Sequence, residues 1–188
     1  MSEMNGQVDG LNRNIILIGY RSAGKTAVGS RLAERLGLPF YDTDNLICRR
    51  KGKSVSEIVA EMGWAGFRKE ERVVIKSLTF VTGCVIALGG GAVMNPLNLE
   101  ALKARGVFIW LDAAPGVIVE RMEKDAATAA QRPPLSEADS LGETAAMLKE
   151  REPVYRLLAN HRIDTTGRGV DEVVDEISGL IQEKNLLL

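Results

Sequence analysis

The clearest chemistry in this chain sits in eight residues, Gly19-Tyr20-Arg21-Ser22-Ala23-Gly24-Lys25-Thr26, which match G-x-x-x-x-G-K-[ST]. Glycines let a backbone wrap tightly, so that successive N–H groups point at a polyphosphate. A helix starting behind such a loop adds its partial positive charge. Lys25 then supplies a full positive charge to the β and γ phosphates, and the Thr26 hydroxyl is a ligand for Mg²⁺. The bland alternative is a Gly-rich strand–helix turn with a chance lysine. Agreement at all four fixed positions, with an apolar run before and helical spacing after, argues against it.

Further candidates follow downstream. Asp42-Thr43-Asp44 closes a short apolar run. One of its carboxylates can hold a metal's water shell or accept a proton from an attacking hydroxyl. Equally, Asp44 can be the N-cap of a helix beginning near Asn45. Gly89-Gly90-Gly91 directly follows another apolar run, at an entropic cost unless the backbone must approach something closely. Bare amides against a substrate or the γ-phosphate would justify that cost better than a loose turn. Arg68, Arg132 and Arg156 are each unremarkable as single surface residues. Arg132, beside Pro133 in a polar segment, is placed to close over a transferring phosphate. Glu71 is placed either to orient Arg68 or to make a plain i, i+3 ion pair. No strand ends in a typical acidic Walker B; Asp112 is the nearest candidate, with helix capping as its alternative role.

These residues need a scaffold that gathers strand ends. Ile15-Ile16-Leu17-Ile18 reads as a buried strand. Helical spacing follows over 25–36, with Gly37 as its stop. The pattern then predicts strand 40–42 and helices 44–51, 54–62 and 65–81, the second opened by a Ser54–Glu57 capping box. Next come strand 84–88, helix 96–105, strand 107–111, and helix 115–124 opened by Pro115. A polar segment, 125–139, is expected to be a mobile loop, before helix 140–159, strand 162–165 and helix 170–184. Strands alternating with helices imply a parallel sheet covered on both faces, with ligands at the carboxyl ends of its strands. Residues 1–13 are expected to form a flexible tail, and 14–188 a single domain.

Composition narrows the class. The 188 residues are 45% hydrophobic and 26% charged, with a net charge of −1, which argues against a general nucleic-acid or membrane-surface binder. One histidine, His161, makes His-based catalysis an unattractive reading, and Cys48 and Cys84 lack metal-ligand spacing. No apolar stretch reaches the ~18 residues of a transmembrane helix.

Taken together, these motifs resemble those of shikimate kinase, a small P-loop kinase of aromatic amino-acid biosynthesis. The resemblance covers nearly everything from Ile15 to about Ile181. It rests on the loop at 19–26, Asp42-Thr43-Asp44, Phe67-Arg68 with Glu71, Leu88-Gly89-Gly90-Gly91, Arg132-Pro133 with Leu135, and Pro153-Val154-Tyr155-Arg156. It implies an α/β fold, three layers with a five-stranded parallel sheet like that of nucleoside monophosphate kinases. A substrate-binding helical region at about 43–72 and a lid at about 122–139 would complete it. The implied reaction is transfer of the ATP γ-phosphoryl group to the 3-hydroxyl of shikimate, with Mg²⁺ as cofactor.

Carried over residue by residue, the resemblance gives ATP to Gly19, Arg21, Ser22, Ala23, Gly24, Lys25, Thr26 and Ala27, with Arg121 and Arg168 against adenine. Asp44, Arg68, Gly89, Gly90, Gly91 and Arg156 would hold shikimate, the two arginines gripping its carboxylate. Lys25 and the lid residue Arg132 would neutralise phosphoryl charge, with Asp44 at the reacting hydroxyl. Thr26 would ligate the metal, and Asp42 would hold it through water. A cytoplasmic monomer acting on small molecules, without nucleic-acid or membrane partners, is expected. The lid is a few residues longer than the usual pattern and alanine-rich, with Pro134 where leucine is common. A kinase of another small polyol acid, such as gluconate, and a non-catalytic nucleotide-binding module are the rival readings.

Overall fold

Asn14–Ile18 (β1) is buried at every position, as an apolar run must be when it lies at the centre of a sheet covered on both faces. The computed structural model describes residues 12–124 and 141–184. In it, β1 pairs in parallel with Val85–Ala87 (β3) on one side and with Gly106–Asp112 (β4) on the other. Phe40–Asp42 (β2) extends the sheet beyond β3, and His161–Asp164 (β5) extends it beyond β4, both in parallel. The order is β2-β3-β1-β4-β5. The chain therefore reverses its direction of winding beside β1, where open α/β sheets place their ligands.

Helices cover both faces. Lys25–Leu36 (α1) and Val170–Lys184 (α7) pack on the side that buries Ile15, Leu17, Val85, Val107 and Ile109. Thr43–Lys51 (α2), Val55–Leu78 (α3), Pro96–Lys103 (α4) and Leu141–Leu158 (α6) contribute to the opposite core with Ile16, Ile18, Ile86 and Phe108. The period-2 alternation along β1 divides its side chains between the two cores. Pro115–Lys124 (α5) packs near the carboxyl ends of the strands, where Ile118 and Ala113 enclose Tyr20. No helix among the described residues is long and apolar enough to cross a membrane.

Most local signals act as read. Gly37 ends α1 in the left-handed conformation, and Ser54 with Glu57 forms the capping box of α3. The break expected between 62 and 65 is a kink at Gly63 (φ 66°, ψ 174°); an L-residue rarely adopts that positive φ, whereas glycine does so freely. The cap of α2, left open between two roles for Asp44, is Asp42, whose carboxylate accepts a hydrogen bond from the Asn45 amide at 3.1 Å. Asp112 is no helix cap either. Its Oδ2 accepts from Arg162 Nε and Nη2 at 3.0 and 2.6 Å. The polar segment 125–139, the lid beyond Lys124 and the chain's first eleven residues lie outside the described residues.

Candidate active site

The strand-to-helix turn after β1 is built from backbone conformations that ordinary residues avoid. Gly19 and Gly24 have φ of 144° and 96°, and Ser22 sits at φ 57°. A non-glycine residue held there stores strain of roughly 1–3 kcal/mol, which a phosphate-binding nest justifies. Lys25 folds back over the loop and donates from Nζ to the Gly19 and Tyr20 carbonyls, at 2.9 and 2.6 Å. The first turn of α1 opens into a cleft of about 960 Å³. Its lining includes Ser22, Gly24, Lys25, Thr26, Ala27, Asp42, Asp44 and Arg121, so backbone amides, a helix N-terminus and two cations share one wall.

Across the cleft, β2 hands over to α2 at Asp42-Thr43-Asp44, and the three side chains diverge. Asp42 Oδ2 accepts the Thr26 hydroxyl at 2.7 Å while its other oxygen caps α2. Thr43 is fully buried, and its hydroxyl accepts the Gly89 amide at 2.9 Å. With Asp42 committed to the cap, Asp44 in the first turn of α2 is left lining the cleft.

A smaller pocket of about 60 Å³ adjoins, lined by Arg21, Asp44, Val55, Trp64, Phe67, Arg68, Gly89, Gly90, Gly91 and Arg151. The glycine run has a steric cause. A Cβ at Gly89 would stand 2.5 Å from Asp44 Oδ1, one at Gly90 3.2 Å from the Arg21 amide nitrogen, and one at Gly91 2.8 Å from Arg68 Cζ. The backbone thus carries no side chains where a carboxylate, a peptide and a guanidinium press against it. Arg68 donates from Nη1 to Glu71 Oε1 at 2.6 Å and lies 5.6 Å from the ring centroids of both Trp64 and Phe67. Arg151 lies 5.2 Å from the Tyr20 ring centroid and donates to the Gly90 carbonyl at 3.2 Å.

Glu71 is fully buried. Burial outweighs the neighbouring Arg68 cation and pushes its carboxyl up to about 7. Among the described residues its Oε2 has no hydrogen-bond partner.

The comparisons with known proteins match this geometry. The family model described as Shikimate kinase matches residues 21–182. The chain belongs to the shikimate kinase family. A shikimate kinase of Syntrophus aciditrophicus is 48% identical over 88% of this chain and 89% of its own length. One from Symbiobacterium thermophilum is 43% identical over 91% and 97%. Among solved structures, shikimate kinase from Acinetobacter baumannii in complex with shikimate superposes with a TM-score of 0.85 at 36% identity, covering 93% of this chain and 95% of that one. The chain is accordingly an ATP-dependent phosphotransferase of the P-loop class.

Within this shikimate kinase family scaffold, most expected site residues converge. Lys25, Thr26, Ala27, Asp42, Asp44, Arg68 and Gly89-Gly90-Gly91 all line the two adjoining cavities. Arg121 reaches the nucleotide side, donating to Thr165 Oγ1 at 3.1 Å and to the Thr165 carbonyl at 2.7 Å. Arg21 lines the arginine pocket rather than the phosphate cleft. Arg168 is not among the lining residues of either cavity. Its guanidinium donates to Glu176 at 2.6 Å and to the Glu172 carbonyl at 3.1 Å, bracing the start of α7. Arg132 lies outside the described residues.

Arg156 stands apart from the other expected site residues. It is exposed, pairs with Glu152 at 2.5 Å, and lines neither cavity. The cations that line the pocket with Arg68 are Arg21 and Arg151. Positions 151 and 156 differ by five residues, which puts them about 140° apart around a helix at 100° per residue. Tyr155, fully buried against Gly90, shares its face with the residue four before it, not with the residue after it. Applied to α6, that spacing rule would have pointed to Arg151 from the sequence.

The donors at the end of the phosphate loop fit Mg²⁺. A hydroxyl and a carboxylate 2.7 Å apart are hard oxygen ligands beside the phosphate cradle. Among the described residues no group of three or more His, Cys, Asp or Glu could hold a metal by itself.

Proposed function

We propose that this chain transfers the γ-phosphoryl group of ATP to the 3-hydroxyl of shikimate. The observation that carries the reading is that the phosphate cleft and the arginine pocket share Asp44, Val55, Gly89 and Gly90 in their walls. A nucleotide on one side and a small hydroxylated acid on the other would meet at Asp44. The A. baumannii relative bears shikimate in its solved complex, which supports the same choice of acid.

The roles follow from charge and position. Amides of Ser22 to Thr26 and the start of α1 hold the phosphates. Lys25, released from the Gly19 and Tyr20 carbonyls, turns its ammonium to the β and γ groups. Thr26 and Asp42 would hold Mg²⁺, which would supply positive charge to offset that of the phosphates. Arg68 and Arg151 offer two guanidinium groups to the acid's carboxylate, for which a planar fork of donors is the matching partner. Asp44 accepts a hydrogen bond from the reacting hydroxyl and aims it along the line of transfer. Phosphoryl transfer demands positioning and charge neutralisation more than covalent chemistry.

Release of ADP with and without shikimate tests this, with gluconate as a second arm and the ³¹P spectrum of the product as identification. Turnover with shikimate alone, giving a phosphate monoester coupled to the C3 proton, is expected. Turnover with gluconate instead would reassign the acid. Nucleotide binding without acid-dependent turnover would make the chain a non-catalytic module.

A further inference from the structure

The Gly90 carbonyl accepts two hydrogen bonds from α6: Tyr155 Oη donates at 2.8 Å and Arg151 Nη1 at 3.2 Å. The two donors differ in kind. Tyr155 is fully buried, and burial pushes its phenol up to about 12, so it stays a proton donor across the working range of pH. Arg151 is a cation lining the pocket with Arg68, beside the Tyr20 ring. That pocket, at about 60 Å³, is much smaller than the several hundred Å³ of an ordinary ligand site. A carboxylate bound there competes with the Gly90 carbonyl for the N–H groups of Arg151. Without another donor, that exchange would leave a carbonyl unpaired in the very loop that must hold still, at the cost of an unmet buried acceptor.

Resting on the substrate reading above, we propose that Tyr155 is a positioning residue for the acid site. Its hydroxyl keeps the Gly90 carbonyl satisfied, so that Arg151 is free to move onto the substrate carboxylate. The same bond fixes the glycine loop against the phosphate loop, since Gly90 packs beside the Arg21 amide. Thr43 secures the preceding residue from the opposite side through the Gly89 amide. The loop is thereby held by two neutral hydroxyls, and the two guanidinium groups remain available for an anion. Nothing in this role requires Tyr155 to touch either substrate.

Tyr155→Phe removes the hydroxyl and retains the ring. Among the described residues Arg151 is then the one side-chain donor left to the Gly90 carbonyl, and the substrate carboxylate competes with that bond. KM for shikimate is expected to rise roughly tenfold, the factor equivalent to the ~1.4 kcal/mol of one hydrogen bond. KM for ATP and kcat are expected to stay within about twofold of the parent. A purely structural role would move all three together. The decisive arm repeats the substitution in an Arg151→Met background, where Tyr155→Phe should raise KM by well under the roughly tenfold of the single variant, because the exchange it eases no longer occurs and only its hold on the loop is lost. An unchanged KM in the single variant, or an equal rise in both backgrounds, overturns the proposal. Absence of shikimate-dependent turnover in the parent enzyme would instead refute the substrate reading, so the two failures are distinguishable.

Discussion

Gly91→Ala isolates the arginine grip better than removal of the arginine itself. Gly91 lies at φ −102°, ψ −3°, a conformation that alanine accepts, so the backbone gains no strain. The three atoms nearest to the new methyl all belong to the Arg68 guanidinium, with Cζ at 2.8 Å and Nη1 at 3.0 Å. Carbon and nitrogen without a bond between them need about 3.5 Å, so the guanidinium must retreat by several tenths of an ångström or more. It cannot retreat freely, because Glu71 holds Nη1 at 2.6 Å and the Trp64 and Phe67 rings lie alongside. Arg68 therefore loses alignment with the substrate carboxylate while keeping its charge. One weakened charge-assisted hydrogen bond represents about 1.5–3 kcal/mol, or roughly a 10- to 100-fold rise in KM for shikimate. Steady-state kinetics with each substrate varied in turn read this out. KM for ATP should stay within about twofold, since Gly91 lines the arginine pocket and not the phosphate cleft. An unchanged KM for shikimate would refute the reasoning, and so would equal losses for both substrates.

Two further outcomes follow from the same geometry. Glu71 has its carboxyl raised from 4.5 to about 7 in the fold, so the native state binds its proton more tightly than the unfolded chain does. Its contribution to stability is full below about pH 4.5 and is lost as pH rises through 7, on the order of 3 kcal/mol in all; Glu71→Gln should flatten that decline in urea-melt midpoints across pH 4.5–7.5, and an unaltered slope would contradict it. Gly19→Ala combines φ 144° with a Cβ that overlaps the Leu111 carbonyl oxygen, which predicts a loss of about 3 kcal/mol and a Tm lower by roughly 6–12 °C; a Tm within 2 °C of the parent would refute it.

The fold was legible in the sequence because its signals are local and redundant. An apolar run, a glycine-rich turn and helical spacing coincide around residues 15–36, and each alternative reading breaks at least one of them. The glycine run at 89–91 was legible in kind only. Its cost implied a close approach, but that Asp44, the Arg21 peptide and Arg68 press there depends on chain segments far apart in sequence. The cap of α2 stayed open in the sequence because either Asp42 or Asp44 satisfies the capping preference. Burial of Thr43 decides between them, by turning Asp42 toward Thr26 and leaving Asp44 on the cleft. Arg156 was chosen by its place after Pro153-Val154-Tyr155, whereas helix phase selects Arg151. A rotation of 100° per residue, not the order of the string, decides which side chains of α6 share a face.

The most direct measurement titrates shikimate calorimetrically into three variants, Arg68→Met, Arg151→Met and Arg156→Met, each first shown to bind ATP like the parent. The account predicts that the first two lose shikimate binding at least roughly tenfold, and that Arg156→Met, out on the surface with Glu152, binds as the parent does. Loss of binding in Arg156→Met with Arg151→Met unaffected would contradict the account at its centre.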